Sequence, residues 1–191
     1  MHFPSCFFLV LALFFAQPVP FKSGEKWGYK DSVGRIVISP RFEVALEFSA
    51  EGLAGVVDSR GWAYIDPAGR VVIRPLVVDN GPDYFEEGLA RFRDGGKIGF
   101  FDQRGKIVIQ AKYAFARPFS EGLAAVCDSC KDVRQGEYTA VTGGTWGFID
   151  TRGVLVIPLQ FQEAMSFDNG RAKVRVSGVR KIIDKKGAFI G

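Results

Sequence analysis

Acidic side chains recur along this chain at a regular interval, and two carboxylates converging in one cleft can hydrolyse a glycosidic bond. A catalytic pair occurs once in a site, whereas an aspartate followed three residues later by a glycine returns here in every repeat. Such an aspartate can cap a hairpin turn, and the glycine supplies the positive φ that the turn needs. We therefore predict structural roles for Asp31 and Gly34, Asp66 and Gly69, Asp102 and Gly105, and Asp150 and Gly153.

Histidine is almost absent, which removes most acid–base and metal chemistry. The one histidine is His2, which lies in a segment that we expect to be cleaved. The mature chain would then have no Ser-His or Cys-His nucleophile pair and no imidazole ligand. No Gly-x-Ser-x-Gly, P-loop or dinucleotide-binding glycine motif occurs. We expect no catalytic residue, no cofactor and no metal, with a glycan-acting hydrolase as a secondary alternative.

Cys127 and Cys130 form a Cys-x-x-Cys pair at the start of an insertion of about 12 residues in the third repeat. A zinc site needs four ligands, and the mature chain offers no further Cys or His. In an oxidising compartment the pair predicts a local disulfide, with free thiols as the alternative.

The insertion itself is polar and has one aromatic residue, which is typical of a surface loop that recognises a partner. Insertions in repeat arrays often map to the binding face. An arm without function is the alternative. The candidate recognition loop comprises Asp128, Lys131, Arg134, Glu137 and Tyr138.

The last repeat is basic. Positions that carry Leu53, Gly55 and Val57 in an earlier repeat carry arginine or lysine here. We interpret this as a capping repeat with a polar outer face. Binding to an anionic surface, such as phospholipid headgroups or acidic polysaccharide, is the alternative. The basic cap comprises Arg171, Lys173, Arg175, Arg180 and Lys181.

The elements that position these residues are strands. Trp27, Trp62 and Trp146 each stand two residues before another aromatic side chain, with Gly or Ala between them. This period of two places both rings on one face of a strand. The three tryptophans could form a platform for sugars or peptides, but periodic aromatic residues are usually core residues, which we expect here.

Each repeat contains three further patterns. Three successive apolar residues after the turn, such as 36–38, predict a strand buried on both faces. The spacing of Phe42, Ala45 and Phe48 predicts a short helical turn or an irregular corner that packs the rings inward. The sequence Glu-Gly-Leu-Ala, as at 51–54, precedes another strand, which returns through a short polar turn to the next aromatic strand.

These patterns predict an all-β fold, an array of about four to five three-stranded antiparallel units that stack to bury a core. Unequal repeat lengths and a truncated fifth copy favour an open, twisted array over a closed propeller. The predicted domain is 19–191, with units at about 26–60, 61–96, 97–144 and 145–178 and a partial unit at 179–191.

The repeats resemble those of the WG (KWG) repeat family of bacterial proteins. The resemblance rests on Lys-Trp-Gly-Tyr at 26–29, Trp-Gly-Phe-Ile-Asp at 146–150 and the Glu-Gly-Leu-Ala copies, and it covers nearly everything from Lys26 onward. Ala63 and Ile98 depart from the Trp-Gly pattern. The resemblance implies a β-rich array, often on exported or surface proteins, with no agreed biochemical activity.

Residues 1–18 predict a signal peptide. The segment from Cys6 to Ala16 is an unbroken apolar run, too short to span a bilayer. We therefore expect export to the periplasm, the cell surface or the medium, with an uncleaved anchor or a misassigned start as alternatives. The net charge of +4 is too balanced to indicate nucleic acid.

Together these features predict a non-catalytic binding scaffold of the cell envelope or secreted fraction, whose partner is an envelope protein or glycan. A purely structural envelope module is the alternative.

The signal-peptide prediction can be checked directly. Edman sequencing of the secreted protein should start between Gln17 and Ser23, because the apolar run ends at Ala16. Recovery of the chain from the cytosol with Met1 intact would contradict export.

Overall fold

The computed structural model describes residues 17–135 and 138–190, and it is all-β with no helix in these residues, as predicted. Most of the predicted signal peptide lies outside the described residues. The 21 strands found in them are β1 (Val19–Ser23), β2 (Lys26–Lys30), β3 (Ile36–Phe42), β4 (Val44–Ala45), β5 (Ala54–Asp58), β6 (Gly61–Ile65), β7 (Val71–Ile73), β8 (Val77–Val78), β9 (Gly81–Pro82), β10 (Leu89–Asp94), β11 (Lys97–Asp102), β12 (Ile107–Tyr113), β13 (Phe115–Ala116), β14 (Leu123–Cys127), β15 (Lys131–Gln135), β16 (Tyr138–Thr142), β17 (Trp146–Asp150), β18 (Leu155–Phe161), β19 (Glu163–Ala164), β20 (Arg171–Val176) and β21 (Val179–Asp184).

Five antiparallel sheets of three or four strands follow one another along the described residues, and β8–β9 and β15–β16 form two further two-stranded sheets. Sheet 1 contains β1–β3, sheet 2 contains β4–β7, and sheet 3 contains β10–β12. Sheet 4 contains β13, β14, β17 and β18, and sheet 5 contains β19–β21. In sheets 1 to 4 the aromatic strand pairs with the strand before it and with the strand after it, as β11 does with β10 and β12. In sheet 5 the equivalent strand, β21, has no aromatic residue and pairs with β20 before it. Because the strand before the aromatic strand belongs to the preceding sequence repeat, each repeat contributes to two sheets.

One type of turn joins the aromatic strand to the strand that follows it. In the first turn the amide of Gly34 donates to the carbonyl of Asp31 at 3.0 Å. The glycines of the four predicted turns have φ of 78–85°, where a β-carbon would be strained. In the turns of sheets 2 to 4 the glycine is also a point of contact with the preceding sheet, since a β-carbon on Gly153 would lie 3.2 Å from Ile109 of sheet 3.

The glycine of the aromatic strand lies under a bulge. In sheet 4 Trp146 pairs with Phe161, and the register then shifts along the following strand. The backbone of this bulge passes over Gly147, where a β-carbon would come within 2.8 Å of the carbonyl oxygen of Pro158. Sheets 1 and 3 have the same arrangement. The glycine is therefore required by backbone contact.

Sheet 2 shows why alanine is tolerated at this position in one repeat. Its last strand, β7, ends at Ile73, and Pro75 already forms a bridge to Phe92 in sheet 3. The bulge that covers the glycine in the other sheets is therefore missing over Ala63, which is 1 % exposed. Alanine can therefore replace glycine in this repeat because β7 is too short to form the bulge.

The corner between sheets contains a short strand, so of the two predicted forms, a short helical turn or an irregular corner, the helical turn is wrong, and the inward packing of the rings is correct. After the bulge the chain pairs for two residues with the next sheet, as Ala116 does with Val126 and Ala164 with Val174. Phe119 is buried just beyond the corner. The three-residue spacing arises because the strand bends as it crosses from one sheet to the next.

The strand after each turn is buried on one side only, which corrects the prediction from its three apolar residues. In sheet 4 Ile157 is 1 % exposed, whereas Val156 is 44 % exposed. This strand lies at the edge of its sheet, and in sheets 1, 3 and 4 its third apolar side chain reaches the turn of the next sheet, whereas in sheet 2 the second, Val72, does so. The exposed residues at the first two positions are Ile36, Val37, Val71, Val72, Ile107, Val108, Leu155 and Val156.

The core consists of separate clusters between consecutive sheets. At each junction the ring at the second aromatic position meets a phenylalanine that follows the corner. The ring centroids are 5.0 Å apart for Tyr29–Phe48, 5.9 Å for Tyr64–Phe85, 4.8 Å for Phe100–Phe119 and 4.9 Å for Phe148–Phe167. The sheets therefore stabilise one another in sequence order.

The sheets form an open array, as predicted. Within the described ranges no strand of sheet 1 is hydrogen-bonded to a strand of sheet 5. The same residues contain no helix that is long and apolar enough to cross a membrane.

The contact between the bulge and Gly147 predicts that substitutions at Gly147 and Ala63, which occupy equivalent positions in two repeats, differ in their effect on stability. Gly147→Ala should lower the free energy of unfolding by about 1–3 kcal/mol, because the bulge must move. Ala63→Gly should cost only about 1 kcal/mol, through added chain entropy and lost packing. Urea unfolding of both variants measures the difference, and a neutral Gly147→Ala variant would contradict this explanation of the glycine.

Candidate binding surfaces

The recurring aspartates are held within the turns. Oδ1 of Asp31 accepts hydrogen bonds from the amides of Val33 and Arg35 at 3.1 and 2.9 Å, and Oδ2 accepts one from Nε of Arg35 at 2.7 Å. The Arg35 side chain is the main cause that holds the pKa of Asp31 below its ordinary value. Arg152 does the same to the pKa of Asp150. These carboxylates therefore accept hydrogen bonds from groups of their own turns.

The tryptophans do not lie together. Trp146 is buried between sheets 4 and 5, with the guanidinium of Arg117 5.7 Å from its ring. Trp27 is half-buried beside the core between sheets 1 and 2. Trp62 is half-buried and donates from Nε1 to the carbonyl of Asn80 at 2.9 Å. The rings occupy separate junctions and form no common platform.

No group of three or more His, Cys, Asp and Glu side chains close enough to hold a metal ion occurs in 17–135 and 138–190.

A disulfide joins Cys127 to Cys130, so the disulfide prediction is confirmed. Cys127 is buried at the end of β14, and Cys130 is half-buried at the start of the insertion. Oδ1 of Asp128 accepts a hydrogen bond from the amide of Thr145 at 3.0 Å, and this bond is the main cause that lowers the pKa of Asp128. The bridge and this bond close the base of the insertion.

The insertion is a β-hairpin rather than a loop. Strands β15 and β16 pair from Lys131–Thr142 to Gln135–Tyr138, because the polar residues flank β-branched ones such as Val133 and Val141. We call β15 and β16 the inserted hairpin. Arg134 and Tyr138 lie on its strands, and Glu137 lies outside the described residues.

The inserted hairpin contacts the preceding sheet. Asp132 lies 3.7 Å from the guanidinium of Arg93 on β10, and both side chains are partly exposed. Nζ of Lys97 on β11 donates to the carbonyl of Asp128 at 3.4 Å. Lys131 is exposed. The base of the hairpin is thus tied to sheets 3 and 4.

The structure divides the predicted basic cap between two sides of sheet 5. The strand register places Lys173 opposite Ile182 and Arg175 opposite Arg180. Lys181 pairs with Val174 and therefore points to the other side, where its Nζ lies 4.8 Å from the centroid of the Phe189 ring. We call the side with Arg171, Lys173, Arg175, Arg180 and Ile182 the outer face of sheet 5.

The outer face of sheet 5 contains two neighbouring pockets. The larger, of about 400 Å³, is lined by Met165, Lys173 and Ile182 and also by Asp168 and Arg171. The smaller, of about 210 Å³, shares Met165 and Lys173 and extends to Arg180. Arg175 is paired with Glu163 at 3.1 Å. Pattern reasoning identified the cations here but not the pockets.

A ladder between repeats was missed in the sequence. The carboxylate of Glu87 accepts a hydrogen bond from the amide of Gly122 at 2.9 Å, and that of Glu121 from Gly170 at 3.0 Å. Both glutamates have positive φ, as a tight two-residue turn of type I′ requires. The available signal was the Glu-Gly dipeptide itself, since both of its residues take part in the turn.

The first repeat breaks the ladder. Ala50 adds one residue to its turn, in which the amide of Gly52 donates to the carbonyl of Ser49. Glu51 is then not at positive φ, and among the described residues it makes no such bond to Gly88. One added residue therefore changes both the turn and the direction of the glutamate.

The second repeat contains a buried ion pair that was also missed. Asp83 and Arg91 are 3 % and 7 % exposed, and the guanidinium binds both carboxylate oxygens, at 2.9 and 2.6 Å. Nη1 of Arg91 also donates to the carbonyl of Ala116 at 2.9 Å. Two features of the sequence could have indicated this ion pair. Arg91 stands where other repeats have Gly55 and Ala125, and it follows a loop found only in this repeat.

Comparison with known families identifies a repeat family. The family described as WG containing repeat matches the chain four times, at residues 27–58, 62–97, 98–128 and 146–179, which together make up well over half of the chain. No curated protein matches it.

Glu121 of the ladder, whose carboxylate also lies 3.1 Å from Nζ of Lys185, predicts a pH-dependent contribution to stability. Hydrogen bonding from Lys185 and Gly170 lowers the pKa of Glu121 below its ordinary value of 4.5. The charged form therefore stabilises the fold above that pH, and this contribution is lost as the pH falls below it. Glu121→Gln should lower the Tm at pH 7 and have less effect at pH 3.

The control for this prediction is Glu51→Gln, because Glu51 stands at the equivalent position without the bond. Its Tm should match the wild type at both pH values by differential scanning calorimetry. Equal decreases in the two variants would exclude the contacts of Glu121 with Lys185 and Gly170 as the cause.

Proposed function

This chain belongs to the WG containing repeat family, and on that basis we propose that it is a non-catalytic binding scaffold whose recognition element is the inserted hairpin. The partner is a protein of the cell envelope or the secreted fraction, with an envelope glycan as the alternative. The stacked sheets serve as the support on which the hairpin is held.

The observation that supports this proposal is that the inserted hairpin is added to a complete sheet. Cys127 pairs with Trp146 across the insertion, just as Val57 pairs with Trp62 in sheet 2. In sheet 2 the next pair is followed by a turn of only two residues. The hairpin therefore adds surface without supplying a strand to any of the five sheets, and its contribution to the core is the half-buried Val141 of β16, which packs against the cluster between sheets 4 and 5. Such an addition is expected of an element retained for recognition.

The way the hairpin is attached also favours binding. The disulfide and the Asp128–Thr145 hydrogen bond restrain its base, and the Arg93–Asp132 pair restrains one side. A restrained element loses less conformational entropy when it binds. The exposed surface at Lys131, Asp132 and Val133 combines charge with an apolar side chain, which suits a polar protein surface.

The disulfide supports an extracytoplasmic location, because such bonds persist mainly in oxidising compartments. This agrees with the signal peptide predicted from the sequence, and we propose that the scaffold acts outside the cytoplasm.

The experiment removes the hairpin at the boundaries that sheet 2 suggests. Replace 129–144 by Gly-Gly, the two-residue turn between β10 and β11, and change Cys127→Val as at position 57. We expect a Tm close to that of the wild type, because the pairs across the sheet remain, and loss of the partner in pull-downs from envelope extract analysed by mass spectrometry.

The matched control keeps the hairpin and removes only the bridge, through Cys127→Val with Cys130→Ser. It should retain the partner with weaker binding. If the excised protein folds and captures the same partner as the wild type, the hairpin is not the recognition element. If it fails to fold, the hairpin is structural and the proposal is wrong.

A further inference from the structure

The outer face of sheet 5 differs in chemistry from the equivalent face of the sheet before it. In sheet 4 that face is buried under the corner that leads into sheet 5, and it is apolar. Its residues are Leu123, Ala125, Cys127, Trp146 and Phe148, and the equivalent residues of sheet 5 are Arg171, Lys173, Arg175, Arg180 and Ile182. No corner among the described residues covers the outer face, and Arg171, Lys173 and Arg180 are exposed.

The four junctions within the chain show what kind of segment covers such a face. Each is covered by a corner whose phenylalanine lies over the second aromatic position, with ring centroids 4.8–5.9 Å apart. Ile182 occupies that position in sheet 5 and is 38 % exposed. The pocket of about 400 Å³ lies against Ile182 and Met165. The pocket thus lies where the other sheets receive an aromatic ring.

Sheet 3 shows what a cation does on such a face when a segment covers it. Arg91 in Leu-Ala-Arg stands at the position of Lys173 in Arg-Ala-Lys. Its guanidinium binds the carboxylate of Asp83, which precedes sheet 3 in the chain, and donates to the carbonyl of Ala116 on the corner that covers the face. The cation therefore holds both an acidic side chain and a backbone carbonyl.

The cations of the outer face have no such partner. Arg175 is paired with Glu163, but Arg171, Lys173 and Arg180 form no ion pair with any residue that the structure describes. Arg171 and Lys173 line the larger pocket together with Asp168. Lys173 and Arg180 line the smaller one together with Glu163. A segment that covers this face would have to supply carboxylates, because burying unpaired cations is costly.

We propose that the outer face of sheet 5 binds an acidic peptide segment that carries an aromatic side chain. The ring occupies the larger pocket over Ile182, and the carboxylates bind Lys173 and Arg180. The segment covers sheet 5 as the corners of this chain cover the other sheets. This surface is separate from the inserted hairpin, so either proposal can fail without the other.

The chain itself provides a probe of the required chemistry. Residues 82–90 contain Asp83, Phe85 and two glutamates, and in the fold they lead from the loop of the second repeat into sheet 3, with Phe85 over Tyr64. A fluorescein-labelled peptide of this sequence should bind the full-length protein in a fluorescence-anisotropy titration.

Matched peptides and protein variants test the two parts of the recognition. The peptide with Tyr84→Ser and Phe85→Ser, and the peptide with Glu86→Gln and Glu87→Gln, should each bind about tenfold more weakly. The protein variant with Lys173→Glu and Arg180→Glu should show a similar loss. Arg104→Glu, a charge reversal on an exposed turn of sheet 3, should bind like the wild type, and so should the protein without the inserted hairpin.

Three outcomes would overturn the proposal. One is the absence of peptide binding at millimolar protein. Another is equal affinity of the peptide with and without its aromatic residues, which would indicate charge attraction alone. The third is binding to phosphatidylglycerol vesicles or to an acidic polysaccharide that the peptide does not displace, which would assign the face to an anionic surface. The matched peptides keep the test decisive even if the charge-reversed protein does not fold.

Discussion

The fold depends on the aromatic ring that each corner places over the ring of the sheet before it. The core is divided into clusters, and each cluster lies at a junction of consecutive sheets. An aromatic pair stabilises a fold by more than the apolar area that it buries. The tilted ring pair therefore both fills the junction and sets the distance between sheets. The bulge, the turn glycine and the short corner strand all serve to bring that ring into place.

The turns and the stacking could be predicted from the sequence, because each depends on a local pattern with one physical meaning. Asp-x-x-Gly leaves few turn geometries open, and a large-small-large pattern requires a strand. The burial of the strand after the turn could not be predicted in this way. Ile157 and Val156 have almost the same chemistry, and only the position of the next sheet's turn decides which is covered.

The candidate surfaces were predictable to a similar extent. The disulfide followed from the spacing of two cysteines, and the basic face followed from a column of the repeat that changes from apolar to charged. The glutamate ladder could not be predicted in this way, because it depends on positive φ at Glu87 and Glu121. In the first repeat the added Ala50 removes the positive φ at Glu51, although the Glu-Gly-Leu-Ala motif is unchanged. Arg91 was hidden for another reason, since a buried cation is intelligible only once Asp83 lies beside it.

The offset between repeat and sheet has a consequence for how such a chain can change in length. Each repeat completes the sheet begun by the one before it and begins the sheet completed by the one after it. A duplicated stretch of one period therefore adds one whole sheet and one whole junction wherever along the period the duplication starts. The ends of the duplicated stretch need not coincide with the boundary of a repeat. Recombination at many points in the gene therefore still leaves every strand with a neighbouring strand to pair with.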